Sequence, residues 1–228
     1  MKVTVILNPR SGKRRAASLR SEAEKLAHAQ QVELTVQVIE GPGEGTLFAR
    51  EAVAAGADRV IAIGGDGTLN AIAIGLVGTS VPMGIVPMGS GNGYARSLKV
   101  SRDPMRALGA AFTGTPSAMD VCYLNDHLFL GTAGIGFDAR VAWEFDQSKG
   151  RGMWNYMRII VKEILGAKPM RVVTKANNTV REDHVLMMVF CNTREFGNGA
   201  VISPGSAPDD GLAELRIVAK LPLGPMMM

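Results

Sequence analysis

Four consecutive apolar residues, Val60-Ile61-Ala62-Ile63, run straight into Gly64-Gly65-Asp66-Gly67-Thr68-Leu69-Asn70. A run this short and uniformly apolar reads as a strand buried on both faces of a parallel sheet. Past the glycines, Ile72, Ala73 and Leu76 fall on one face of a helix. Glycines at such a turn let backbone N–H groups approach a polyphosphate, and the helix N-terminus adds a favourable field. Asp66 among those amides would repel phosphate unless a divalent cation or a transferable proton lay between them. Glycines also end strands merely to turn the chain. Two glycines, an acid, a third glycine and Thr68 between strand and helix point instead to nucleotide phosphoryl chemistry.

The same rhythm runs through the first half. Lys2–Leu7 reads as a strand, followed by a helix with Leu19, Ala23, Leu26 and Ala27 on one side. Leu34–Ile39 is a second strand, and a helix through Ala49, Val53 and Ala54 leads to the Val60 strand. Met83–Val86 is a fourth, followed by Pro87-Met88-Gly89-Ser90-Gly91-Asn92-Gly93 and a helical Tyr94–Leu98. Alternation of this kind predicts an α/β fold, a parallel sheet with helices on both faces. Right-handed crossovers then bring three glycine loops to the carboxyl edge, where such sheets bind ligands.

After about Thr115 the pattern changes. Asp120–Leu124 and Leu128–Thr132 look like strands around an Asn125-Asp126 turn, and a helix carries Trp154, Met157, Val161 and Ile164, with Trp154 and Met157 read as core in preference to a lipid groove. Further strands are expected at Met170–Lys175, Val185–Cys191 and Leu212–Val218. Strands in succession imply an antiparallel sheet or sandwich, hence two domains, 1–118 and 119–228. The apolar ending, Leu221-Pro222-Leu223-Gly224-Pro225-Met226-Met227-Met228, has no charge or helix stop and suggests that the second domain is incomplete.

Composition narrows the function. With 46% hydrophobic and 20% charged residues the chain is an ordinary globular protein, and its +4 formal charge mildly favours anionic partners. No apolar run is long enough to span a bilayer. Cys122 and Cys191 lack metal-ligand spacing, and no G-x-x-x-x-G-K-[ST] occurs, which excludes a P-loop enzyme.

Two other loops complete the site. Asn8-Pro9-Arg10-Ser11-Gly12-Lys13 leaves the first strand and crowds cations around a helix start, which a bound anion would stabilise. A solvated basic helix face is the plain alternative. Gly89-Ser90-Gly91-Asn92 offers a hydroxyl and exposed backbone, although Tyr94 breaks the dinucleotide fingerprint. In the second half, Pro204–Leu212 contains Asp209-Asp210-Gly211, either a plain turn before a strand or an oxygen-ligand cation site. Asp120 and Asp138 are open to the same two readings.

Together these residues resemble the diacylglycerol kinase catalytic domain family, which includes sphingosine kinases and bacterial lipid kinases. The likeness runs through N-P-R-S-G-K at Asn8–Lys13, G-G-D-G-T-L-N at Gly64–Asn70 and G-S-G-N at Gly89–Asn92. It continues through M-D-V at Met119–Val121, G-I-G-F-D at Gly134–Asp138 and P-x-x-x-x-D-D-G-L ending at Leu212. The resemblance implies a Rossmann-like, NAD-kinase-type nucleotide domain followed by a β-sandwich, with the active site between them. It implies an ATP- and Mg²⁺-dependent kinase for a lipid hydroxyl, cytoplasmic and peripherally associated with a membrane surface. Neither a nucleic-acid partner nor a transmembrane segment is expected, and a homodimer stays open.

Residue by residue, Asn8, Pro9, Arg10, Ser11, Gly12 and Lys13 match the family's first nucleotide loop. Gly64, Gly65, Asp66, Gly67, Thr68 and Asn70 match its second, and Gly89, Ser90, Gly91 and Asn92 its third. Asp210 matches a magnesium ligand, with the carbonyls of Ala207 and Leu212 beside it, and Asp66 and Asp120 match acids near the transferred phosphoryl. There are departures. Ile39 stands where many bacterial members have threonine, and Asn92-Gly93 where many have Asn-Asp. The family's general base is a glutamate in a D-G-E element that this chain does not contain, which leaves Asp66 as the candidate catalytic acid. The alternatives are a kinase for a soluble acceptor such as NAD, or a nucleotide- or lipid-binding fragment without transfer.

Overall fold

The computed structural model describes residues 1–11, 16–148, 153–176 and 179–219. Strands β1 (Lys2–Leu7), β2 (Glu33–Val38), β3 (Arg59–Gly64) and β4 (Met83–Pro87) form a parallel sheet in the order β2-β1-β3-β4. Around it lie helices α1 (Ala16–Ala29), α2 (Glu44–Ala54), α3 (Asp66–Leu76), the short α4 (Gly93–Ser97) and α5 (Pro104–Thr113). The chain steps outward from β1 to β2, then back across to β3. Right-handed crossovers taken in opposite directions put their helices on opposite faces. The core divides accordingly. Val3, Val5, Leu7, Ile61 and Ile63 pack with Leu19, Ala23, Leu108 and Phe112 of α1 and α5. Ile6, Val60 and Ala62 pack with Ala49, Ala52, Leu69 and Ile72 of α2 and α3. This is the two-residue period of strands buried on both sides.

Helix α5 was not anticipated from the sequence. Asp103 caps its start, accepting from the N–H groups of Met105 (2.8 Å) and Arg106 (3.2 Å), with Pro104 in the first turn. The Arg59 guanidinium closes its other end, donating to the carbonyls of Ala111 (2.7 Å) and Gly114 (2.9 Å).

The second half is a mixture of sheet and helix. Strands β5 (Cys122–Leu124) and β6 (His127–Phe129) form a hairpin about Asn125-Asp126. Strands β7 (Thr132–Gly136), β10 (Met187–Cys191) and β11 (Glu214–Val218) form an antiparallel sheet in the order β11-β10-β7. Strands β8 (Met170–Ala176) and β9 (Thr179–Val185) make a separate ribbon. The single strand expected over Leu128–Thr132 is therefore two, parted where Leu130 turns into the α3-side core. Helix α6 (Phe137–Gln147) also interrupts the expected run of strands, and it pairs with α7 (Met153–Gly166). Trp154 and Met157, read as core in preference to a lipid groove, are turned to solvent on α7 together with Val161 and Ile164. The β5–β6 hairpin packs on α3 through Val121, Leu128 and Leu130, so the two halves share apolar surface.

Candidate active site

Because β1, β3 and β4 are parallel neighbours, all three glycine loops leave from one edge of the sheet. The first two are tied through Asn8. Its N–H donates to the Ile63 carbonyl (2.9 Å), and its Nδ2 donates to Thr68 Oγ1 (2.9 Å). Its Oδ1 accepts from the Arg10 N–H (3.0 Å), which tightens the turn through Pro9, and the Ser11 N–H returns to the Asn8 carbonyl (3.1 Å). The Arg10 guanidinium reaches across to the Glu40 carbonyl (3.1 Å). Gly12 and Lys13 lie outside the described residues.

The second and third loops touch backbone to backbone. The Met88 N–H donates to the Gly64 carbonyl at 2.7 Å. A Cβ on Gly65 would stand 2.9 Å from the Gly89 Cα, and one on Gly89 2.6 Å from the Gly65 Cα. Only glycine fits at either position. Asn92 closes its own loop from a left-handed backbone (φ 51°). Its Oδ1 accepts from the Gly89 N–H (2.7 Å), and its Nδ2 donates to the Gly89 carbonyl (2.9 Å).

The stretch beginning at Gly64 turns helical at Asp66, so this carboxylate occupies the first turn of α3, where the helix field favours negative charge. Its Oδ1 accepts from the Tyr94 N–H (3.0 Å), pinning the start of α4. Gly67 is exposed beside it, whereas Thr68 is buried. Asn70 is differently placed. Its Nδ2 donates to the Leu128 carbonyl (2.9 Å) and its Oδ1 accepts from the Leu130 N–H (3.1 Å), so its amide is committed to the second half.

A cavity of about 540 Å³ opens in front of Asp66. Gly67, Ser90 and Gly91 line one side, and Thr132, Gly134, Asp138 and Tyr156 the other. A larger cavity of about 610 Å³ lies between β4 and α5 and touches none of the three loops. Residues of the second and third glycine loops line only the smaller one.

Part of the cavity wall escaped the sequence reasoning. Asn198 donates from its N–H to the Gly91 carbonyl (3.2 Å), and Gly197 forms an antiparallel bridge with Asn92. Glu195 Oε2 takes both the Arg96 Nε (3.1 Å) and the Gly199 N–H (2.8 Å). The third glycine loop is thus clamped between α3 and a turn from the second half. Gly197, Asn198 and Gly199 all adopt positive φ, and Gly-Asn-Gly was the one local signal of that turn.

Asp138 stands in the first turn of α6, and its Oδ1 is buried without a hydrogen-bond partner among the described residues. Burial raises its pKa above the ordinary carboxylate value, against two backbone hydrogen bonds that lower it. A carboxyl with a raised native pKa binds more protons folded than unfolded, so stability falls as pH rises through that interval. Asp138→Asn should therefore raise the melting temperature at about pH 7 and leave it nearly unchanged at about pH 3, where both states are protonated. Paired thermal melts at the two pH values check this.

Asp120 and the Pro204–Leu212 segment lie against each other. Asp120 donates from its N–H to the Pro208 carbonyl (2.7 Å), and its Oδ2 accepts from the Gly211 N–H (2.8 Å). Asp210 Oδ1 accepts from the Leu212 N–H (2.9 Å), and Ala207 precedes Pro208 in the same loop. Each carboxylate keeps a second oxygen, and an oxygen-only donor set suits a hard cation. Among the described residues no three His, Cys, Asp or Glu side chains converge as a metal centre. Burial first, and then the Asp120 charge, push the Tyr94 phenol up to about 12.

Residues 2–124 match the family model described as the diacylglycerol kinase catalytic domain, and residues 131–228 match the YegS C-terminal NAD kinase beta sandwich-like domain. A Klebsiella pneumoniae protein named "Probable lipid kinase YegS-like" is 30% identical over 201 residues, covering 86% of this chain and 68% of that one. A Mycobacterium tuberculosis protein named "Diacylglycerol kinase" is 31% identical over 233 residues, covering 95% and 72%. The chain spans about two thirds of the length of such relatives, 61% in one from Chromohalobacter salexigens. A crystal structure of a diacylglycerol kinase from Bacillus anthracis superposes with a TM-score of 0.76 at 25% identity, covering 96% of this chain and 73% of that one. With its motifs, its fold and its relatives in agreement, the chain belongs to the diacylglycerol kinase catalytic domain family and carries a YegS-type β-sandwich-like second domain.

Proposed function

We propose that this chain forms the catalytic core of an ATP-dependent lipid kinase, passing the γ-phosphoryl group to a hydroxyl of a diacylglycerol-like or sphingoid lipid. One observation carries the reading. Asp66 stands where the backbone of the second and third glycine loops meets a cavity that Ala139, Ala142, Phe145 and Phe196 make partly apolar. A cradle of amides suits a triphosphate, and apolar walls suit an acyl or sphingoid chain better than a second nucleotide.

Catalysis here is chiefly positioning and charge neutralisation. The loop amides, with Asn8, Ser11, Thr68 and Ser90, hold the triphosphate, and Lys13 adds a cation. Magnesium, when bound, supplies charge neutralisation on the phosphates, with Asp120, Asp210 and the carbonyls of Ala207 and Leu212 as its candidate ligands. Asp66 orients the acceptor hydroxyl and takes its proton as the oxygen attacks phosphorus and the β–γ bridging bond breaks. Asp138, on the opposite wall, offers a polar group to the lipid head. Among the described residues no helix is long and apolar enough to cross a membrane, so the lipid would be met at a membrane surface.

The test is transfer from γ-labelled ATP with magnesium to diacylglycerol micelles, sphingosine micelles and NAD in parallel. Label in either lipid is expected. Label in NAD alone would replace the reading with a soluble-acceptor kinase. Calorimetric ATP binding without transfer to any acceptor would replace it with a binding module.

A further inference from the structure

We infer that Glu195 is a positioning residue for phosphoryl transfer, holding the third glycine loop and one wall of the acceptor cavity in a single arrangement. The inference rests on the lipid-kinase reading of that cavity and adds to it a residue that does not line it.

The turn formed by residues 195–199 serves two surfaces at once. Its backbone lies directly on the third loop. The Asn198 N–H donates to the Gly91 carbonyl, Gly197 bridges Asn92, and a Cβ on Gly197 would stand 2.8 Å from the Gly91 Cα. From the other side, a Cβ on Gly93 would stand 2.7 Å from the Phe196 carbonyl oxygen. With backbone packed against backbone, a shift of the turn is a shift of the loop. Phe196 meanwhile lines the same cavity as Asp66, Ser90 and Gly91.

Such a turn is poorly held by its own residues. Gly197, Asn198 and Gly199 all have positive φ, and the two glycines leave the backbone free to adopt other conformations. Two bonds close it, from the Phe196 N–H to the Ala200 carbonyl (3.0 Å) and from the Ala200 N–H to the Gly197 carbonyl (2.9 Å). Asn198, Gly199 and Ala200 are exposed, so apolar burial does not secure the tip. Glu195 supplies the missing restraint. Its side chain is only 10% exposed, and Oε2 accepts from both the Arg96 Nε and the Gly199 N–H. Arg96 is 26% exposed, so the pair escapes much of the screening that weakens surface ion pairs.

The ion pair also closes a ring around Asp66. The Tyr94 N–H binds Asp66 Oδ1, Arg96 follows two residues later on α4, Glu195 receives it, and the turn returns to Gly91. A Cβ on Gly91 would lie 3.6 Å from Asp66 Oδ2, so the ring ends beside the carboxylate where it began. A displacement of about 1 Å between reacting groups can cost about 10²-fold in rate. Opening the ring should therefore slow transfer more than it weakens either substrate.

The full chain and its variants E195A, E195Q, R96A and R96A/E195A are compared by amide hydrogen exchange, by calorimetry with ATP–magnesium and by transfer from γ-labelled ATP to micellar diacylglycerol. E195A should speed exchange of the Asn198 amide, which Glu195 does not touch, by about tenfold or more, with the melting transition retained. Its kcat should fall by about 10- to 100-fold, while the ATP Kd and the acceptor KM stay within about threefold of wild type. E195Q keeps an oxygen for both donors and should recover most of that kcat; it carries the same comparison should alanine prevent folding. The double variant R96A/E195A should be no slower than R96A, since one interaction is lost in both.

Unchanged Asn198 exchange in E195A overturns the inference, because the turn then holds without the carboxylate. So does fast exchange beside wild-type kcat, which makes the ion pair packing alone. Either result leaves the kinase reading intact. A fall in melting temperature and in ATP-binding stoichiometry that accounts for all the lost turnover overturns it as well, and makes Glu195 structural. A wild-type chain that transfers to no acceptor fails the kinase reading, and the positioning role falls with it.

Discussion

Asp66→Asn is expected to lower lipid phosphorylation by about 10²- to 10⁴-fold, the usual scale for loss of a positioned acid–base group, while the protein stays folded. Asparagine has nearly the same shape, and its Oδ1 can still accept the Tyr94 N–H that Asp66 holds at 3.0 Å. The pin between α3 and α4 therefore survives. What disappears is a negative charge in the first turn of α3, with its capacity to take a proton or orient a hydroxyl. ATP affinity should stay level or improve, since an anion beside the phosphates has been removed. Measured together, kcat for a lipid acceptor and Kd for ATP–magnesium separate the roles. A parallel fall in nucleotide affinity and melting temperature would make Asp66 a structural brace.

The first half was legible because its physics is local. Strands buried on both faces are short apolar runs, glycines punctuate their ends, and parallel order alone brings the Ser11, Asp66 and Ser90 turns to one edge. Helix α5 was missed although its cap was readable, because small residues such as Ala107 and Ala111 dilute its apolar face. The second half depends on partners distant in sequence. Nothing near Asn70 shows that its amide is held by Leu128 and Leu130, or that Glu195 reaches Arg96. The Phe129-Leu130-Gly131-Thr132 run hides the break between β6 and β7 for the same reason. Periodicity also found the Trp154 stripe but could not assign its direction, since one spacing serves a core face and a surface face alike. The deciding contact, Glu163 with Arg140, lies between two helices.

Gly89→Ala should damage the cradle more than any other single methyl group added to it. No unusual dihedral is involved, because Gly89 is not among the positive-φ glycines. The obstacle is steric: the new Cβ would lie 2.6 Å from the Gly65 Cα and 2.8 Å from Asn92 Oδ1. Backbone on one side cannot yield without stretching the 2.7 Å bond between Met88 and Gly64, and the Asn92 side chain cannot leave without opening loop three. Overpacking of this kind costs about 1–3 kcal/mol. Here it also parts two loops that together face the phosphates, so ATP affinity should fall by about tenfold or more. Gly67→Ala is the control. Its Cβ would meet nothing within 4 Å, and in a helical turn alanine gains about 0.5–1 kcal/mol over glycine. Thermal melts should therefore separate the two variants in opposite directions. Isothermal titration with ATP–magnesium then tests the cradle itself: retained affinity in Gly89→Ala would mean that loops two and three do not share a ligand, and the convergence at this edge would be packing alone.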